Sequence, residues 1–362
     1  MTRLSFCLIR IVLCSCLCFS IGLILSSCND EMGSSRIRPE YSIVTTVAGN
    51  GTSGFDDGVG STARFNQPSA MVVDDEGNLY VSDHENHSIR KVTPFGEVST
   101  FAGTGQPGSQ DGDRLNASFN HPYGLALDPN GNLYVGDVSN HSIRKISADG
   151  RVTTLAGGRR GFSDRKGELA MFDHPHGVAL DSKSNVYVAD SYNNRIRKVA
   201  PDGTTTTVAG NGNDGFIDGG AEEAEFFVPI GIAIDDRGNI YVGDEGNSSI
   251  RKISANGKVK TLAGNGKFSF SDGVGTNASF NAPGAIAIDR AGNLYVADYL
   301  NNCIRRVSAL GEVRKIAGKL DKGFADGAAS EALFYYPFGI AVDETGVVYV
   351  GDHFNHRIRK ID

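Results

Sequence analysis

Short apolar runs alternate with polar turns through most of this chain. Leu125-Ala126-Leu127 is closed by Asp128, the turn Asn130-Gly131-Asn132 follows, and Leu133-Tyr134-Val135 resumes the apolar pattern. Residues 143–146 and 151–155 add two more short runs rich in Ile, Val, Leu and Thr. Runs of this length, β-branched or aromatic and bounded by Asn, Gly and Asp, predict strands. No sustained helical period follows residue 27.

The unit recurs. Pro68, Pro122, Pro175, Pro229, Pro283 and Pro337 are separated by 54, 53, 54, 54 and 54 residues, and each opens the same pattern. A period of this size is one supersecondary unit repeated. Four predicted strands per unit suit a propeller blade, so six repeats predict an all-β, six-bladed β-propeller of four-stranded blades. The last repeat stops after its third strand, at Ile361-Asp362, and residues 43–49 carry the missing x-V-x-T-x-A-G form. The N-terminal strand is therefore expected to complete the last blade, which removes an exposed sheet edge.

The pattern P-x-G-[ILV]-A-[ILV]-D-x-x-G-N-[ILV]-Y-V-x-D-x-x-N-x-x-I-R-[KR]-[IV], with single departures in some copies, resembles the NHL repeat over nearly all of residues 41–362. That resemblance implies the same six-bladed ring. The G-F-x-D-G…F…P inserts, at residues 54–68 and 323–337 for example, make these repeats longer than the shortest members.

What all six copies share reads as architecture. Gly124 and Ala126, with their counterparts, alternate small residues where innermost strands crowd the axis. Asp74, Asp128, Asp181, Asp235, Asp289 and Asp343 precede turns they can stabilise. Asp83 is followed by Asn86 and Arg90, and the same spacing recurs in each repeat down to Asp352, Asn355 and Arg359. Six copies of one triplet predict an intrablade polar network rather than a calcium ring. Phe65, Phe119, Phe172, Phe226, Phe280 and Phe334 are expected to plug the blade junctions.

Function is sought where the copies differ. In propellers the residue after the blade proline and the loop between the second and third strands open on one face, the top. The first set reads Ser69, Tyr123, His176, Ile230, Gly284 and Phe338. The second reads His84-Glu85, Val138-Ser139, Ser191-Tyr192, Glu245-Gly246, Tyr299-Leu300 and His353-Phe354. Variable loops on a rigid frame are where binding concentrates. The candidate ligand-binding residues are Tyr123, His176, Phe338, His84, His353, Phe354, Tyr299 and Tyr192, with Gly284 leaving room on the far side of the mouth.

Two propeller enzyme classes fit poorly. The peptide-amidating lyases, which resemble these repeats, bind zinc through three histidines near the axis, whereas His176 alone follows a blade proline here. His121 and His174 precede prolines, in a slot held elsewhere by Gln67, Val228, Ala282 and Tyr336. Gluconolactonase-type enzymes hold their ion with Glu, Asn and Asp near the axis, and no acid or amide lies between any blade proline and its strand-ending aspartate. No G-x-S-x-G motif supports a serine nucleophile. No cofactor and no metal ligand set is expected.

The N-terminus sets the expected address. Arg3, Arg10 and an apolar run over residues 11–24 make a signal peptide, ending in Leu25-Ser26-Ser27-Cys28, which resembles a bacterial lipobox. Residues 1–27 are expected to be removed, Cys28 to carry lipid, and residues 28–40 to form a polar tether. Asn29-Asp30-Glu31 resembles the export stretch of surface lipoproteins of Bacteroidetes. Of six cysteines only Cys28 and Cys303 would remain, so no internal disulfide is available. The net charge of −7, or −9 once Arg3 and Arg10 leave, argues against a nucleic-acid partner, although some eukaryotic relatives of this repeat bind RNA. The expected location is the cell envelope, lipid-anchored to the outer membrane, with the cell surface and the periplasm both open as the side it faces.

The preferred reading is a surface-tethered, non-catalytic binding propeller for a glycan, a peptide or an outer-membrane partner protein. A propeller lyase or hydrolase with an unrecognised site, and a structural or assembly protein, are the alternatives.

Overall fold

A computed structural model describes residues 41–362; the expected leader, the tether and Cys28 lie outside the described residues. Six antiparallel sheets follow one another around an axis. In blade 2 the strands run outward from the axis as Pro122–Leu127, Leu133–Asp137, Ser142–Ile146 and Arg151–Gly157. A fifth, two-residue strand, Gly112–Asp113, pairs outside Arg151–Gly157. The four expected strands are present in every blade, and blades 1, 2, 5 and 6 add this short fifth strand at the outer edge. The insert supplies it, a contribution too short to leave a periodic signature.

The ring closes as the sequence implies. Strand Ile43–Ala48 pairs antiparallel with Arg357–Ile361, completing blade 6. Tyr41, just outside the strand, donates its hydroxyl to Tyr295 at 2.7 Å and fixes the approach of the chain.

Inner strands pack at the limit of approach. A Cβ added to Gly124 would run into the His176 carbonyl of the next blade, which explains the small residue there. The junction plugs are buried as expected. Phe65 packs with Ala48 and Ile358 of blade 6 and with Met71 and Val81 of blade 1.

The repeated triplet is a buried ion-pair network. Arg90 donates to Asp83 at 2.7 Å, and Asn86 donates to the same carboxylate at 2.8 Å. The insert adds what the triplet lacks: Arg90 also pairs with Asp57 at 2.7 Å and lies over the Phe65 ring. Burial pushes the Asp83 carboxyl up to about 6 against the opposing pull of Arg90, so the pair is ionised at neutral pH. The aspartates before turns do cap them: Asp128 accepts the backbone N–H groups of Asn130 and Asn132, each at 2.9 Å.

Candidate functional site

The last residue of each second strand starts a one-turn 3₁₀ helix, and that turn places the second variable set on the top face beside the next blade's proline. His84 directs Nδ1 to the Pro122 carbonyl at 3.2 Å, and His353 directs Nδ1 to the Pro68 carbonyl at 3.3 Å. His176 Nδ1 meets the His174 carbonyl at 2.9 Å. A carbonyl can only accept, so each Nδ1 carries the proton and each Nε2 is a bare acceptor. Burial holds His84 down to about 4, and His176 and His353 to about 3. Three neutral imidazoles thus stand around the mouth.

Tyr123 lies among them. Its ring is 5.1 Å from that of His176, 5.1 Å from Phe338 and 6.2 Å from His84. Only 4% of it is exposed, and its hydroxyl has no hydrogen-bond partner among the described residues. Burial, with Glu245 and Tyr299 nearby, raises its pKa. Tyr123 also joins Ala70, Val138 and Ile230 in an apolar cluster over the axis, with Phe338 packed against it.

One expectation needs correcting. Gly284 does not leave room: Phe338 Cε1 stands 3.5 Å from where a Cβ would be, so the large ring of blade 6 fills the space. Tyr192 flanks the mouth through His174, whose carbonyl meets His176 Nδ1. It stacks 4.4 Å from His174, which bonds Asp173. It borders the junction of blades 2 and 3, where a separate cavity of about 450 Å³ is lined by Ser139, His141 and Arg159.

The remaining candidates assemble. Phe338 stacks on His353 at 5.7 Å and on Tyr299 at 4.8 Å, and Phe354 lies 5.1 Å from His353. The rings then continue through residues that the sequence reading did not select. Tyr336 is 4.8 Å from Tyr299 and 5.5 Å from Phe354, and Tyr335 is 5.3 Å from Phe354. Tyr299, Tyr335, Tyr336 and Phe354 are all partly exposed, giving an aromatic shelf on blades 5 and 6. Its signal was available in the pair Tyr335-Tyr336 preceding Pro337, where other repeats have smaller residues.

Glu245 was also passed over. Burial raises its carboxyl to about 7, and it has no hydrogen-bond or ion-pair partner among the described residues. It is the one acid at its position in six repeats, which was the available clue. Beneath the mouth the axis widens to an apolar funnel of about 290 Å³ on the opposite face, lined by residues such as Val72, Leu127 and Ile288.

The NHL repeat family matches at residues 65–92, 119–146, 172–199, 228–253 and 334–361. The Arabidopsis thaliana protein Suppressor of Quenching 1 is 31% identical over 325 residues, covering 83% of this chain and 31% of that protein. Human NHL repeat-containing protein 2 is 30% identical over 336 residues, covering 82% of this chain and 46% of that protein. The chain therefore spans less than half the length of these curated relatives. Among solved structures, an auxiliary nutrient binding protein from Bacteroides ovatus superposes with a TM-score of 0.68 at 19% identity, over 89% of this chain and 77% of that one. At that identity the likeness is one of fold.

Proposed function

Because the chain carries NHL repeats closed into a six-bladed propeller, we propose that its top face is a non-catalytic binding site for a glycan, presented at the cell envelope by a lipid on Cys28. The aromatic shelf carries this reading. Phe338, Tyr299, Tyr336 and Phe354 contact in sequence at 4.8 to 5.5 Å, edge to face at Phe338–Tyr299 and Tyr336–Phe354 and tilted by 34° at Tyr299–Tyr336, so the shelf is contiguous and partly open. Sugar rings pack their C–H faces on such surfaces, and Tyr and Phe serve where Trp is absent.

Polar groups for hydroxyl recognition stand beside the shelf. Neutral His353 offers an Nε2 acceptor, and Glu245 can donate when protonated or accept when ionised. A glycan hydroxyl would also satisfy the orphan Tyr123 hydroxyl, whose burial without a partner otherwise costs about 1–3 kcal/mol. The nutrient-binding function in the name of the Bacteroides ovatus neighbour agrees with this reading. Titration calorimetry against a panel of oligosaccharides, with Tyr336→Ala as the control, tests it.

One observation favours a second reading. A carboxyl held at about 7 by burial near Tyr123 and Tyr299 is poised for general acid–base work, so Glu245 would be the acid of a lyase or hydrolase. Turnover of any bound oligosaccharide that Glu245→Gln abolishes would establish that alternative.

A further inference from the structure

Blades 1 and 2 meet on the top face in a cluster that the glycan site does not use as a whole. His84 and Glu85 come from the turn after the second strand of blade 1, and His121 comes from the residue before the proline of blade 2. Their rings and carboxylate converge: His84 and His121 are 4.9 Å apart by ring centroid, and His121 Nε2 lies 3.7 Å from a Glu85 oxygen. One ligand atom from each of the three lies within 4.8 Å of the others.

We propose that His84, Glu85 and His121 bind one divalent transition-metal ion, of which zinc is the best fit. Two imidazoles and one carboxylate are borderline donors that suit zinc and its neighbours, not the oxygen-seeking calcium or magnesium. Both rings have Nδ1 engaged elsewhere, His84 on the Pro122 carbonyl at 3.2 Å and His121 on Ser139 Oγ at 3.1 Å. Metal-bound histidines are oriented in this way, through the nitrogen that does not ligate. Zinc–ligand distances near 2.0–2.2 Å put tetrahedral donors about 3.4 Å apart, so the cluster needs a closure of about 1 Å. Glu85, with 39% of its side chain exposed and no Lys or Arg partner among the described residues, can make it. Three protein ligands leave a fourth position open to water or a bound group.

The repeats provide the control. At the five other junctions the same three positions read Val138, Ser139 and His174; Ser191, Tyr192 and Val228; Glu245, Gly246 and Ala282; Tyr299, Leu300 and Tyr336; His353, Phe354 and Gln67. None reproduces the donor set, so the cluster is not a demand of the fold. The other histidine group, His141, Asp173 and His174, differs in its carboxylate: Asp173 is already held by Arg160 at 3.1 Å and by His174 at 2.7 Å.

The sibling blades also supply substitutions the backbone tolerates. Tag-free chain is dialysed against zinc and its metal counted by mass spectrometry, and cobalt is titrated for its visible d–d bands. One ion per chain is expected, with affinity lowered about 100-fold in His121→Gln and in Glu85→Ser, and unchanged in His174→Val. Thermal melts establish that each variant is folded, and Glu85→Ser decides the matter if His121→Gln is not. No stoichiometric metal in the wild type, wild-type affinity in Glu85→Ser, or equal loss in His174→Val would overturn the site. The oligosaccharide control Tyr336→Ala lies at the junction of blades 5 and 6, so failure of the glycan reading is separable from failure of this one.

Discussion

His87 Nδ1 accepts the backbone N–H of His121 at 3.2 Å, joining blade 1 to blade 2. The same bond recurs at every junction. His141, Asn194, Ser248 and Asn302 accept from residues 174, 228, 282 and 336, and His356 accepts from Gln67 at 3.1 Å where the ring closes. Both partners lie in the left-handed region, with φ of 50° at His87 and 54° at His121. The bond therefore locks two turns that are individually unfavourable.

Acid should loosen these locks. An accepting Nδ1 belongs to a neutral ring, and burial lowers the pKa of His87, His141 and His356. Their neighbours are Glu85 and His121, Asp173, His174 and Arg160, and Arg357 respectively. A histidine with a lowered folded pKa binds more protons when unfolded, so its contribution is complete above the unfolded value near 6.5 and lost as pH falls through the folded one. Asn serves in the same slot at Asn194 and Asn302 without titrating. The triple variant His87→Asn, His141→Asn, His356→Asn should lose less stability than the wild type between pH 7.5 and 5 in urea unfolding. Parallel pH profiles would exclude the mechanism.

The arginine of each blade should be the most sensitive surface-distant residue. Arg251 and Asp244 are both 0% exposed and 2.7 Å apart. Arg251→Met leaves the Asp244 charge uncompensated and should cost about 3–5 kcal/mol. Asp218→Asn removes a partner that is 46% exposed and should cost about 1 kcal/mol or less. Comparable losses by chemical denaturation would contradict the assignment.

Truncation should separate the clasp from the segment before it. Removing residues 28–40 leaves Tyr41 and Ile43–Ala48 in place, and the melting temperature should barely change. Removing residues 28–48 uncovers the edge of Arg357–Ile361, so a lower melting temperature and self-association are expected. Scanning calorimetry with light scattering distinguishes the two outcomes.

The lipid anchor has a direct assay. A clickable fatty acid should label the wild-type chain in cells and not Cys28→Ala. Equal labelling of both would remove Cys28 from the account.

The ring, its blades and its clasp were legible because strand period, turn residues and the six-fold repeat all state local facts. The Asp–Asn–Arg network was legible because its members lie within seven residues. The insert's Asp57 partner is 33 residues from Arg90, so only the fold brings it near. The mouth was legible in part: His84, Tyr123, His176, Phe338 and His353 do converge. His121, Tyr336 and Glu245 were not selected because position in a repeat does not say toward which junction a side chain turns. Their roles depend on contacts between blades, roughly one repeat apart in sequence, and on the burial those contacts impose.

The central claim is the aromatic shelf as a sugar platform, and one measurement reaches it most directly. Titration calorimetry of the folded chain against an oligosaccharide panel should find a ligand whose affinity falls at least about tenfold in Tyr336→Ala, as loss of about 1.4 kcal/mol of stacking requires. Ala282 occupies the same slot in blade 5, so this variant should fold as the wild type does. A tight oligosaccharide ligand bound equally well by Tyr336→Ala and by Tyr123→Phe, or no binding across the panel, would contradict it.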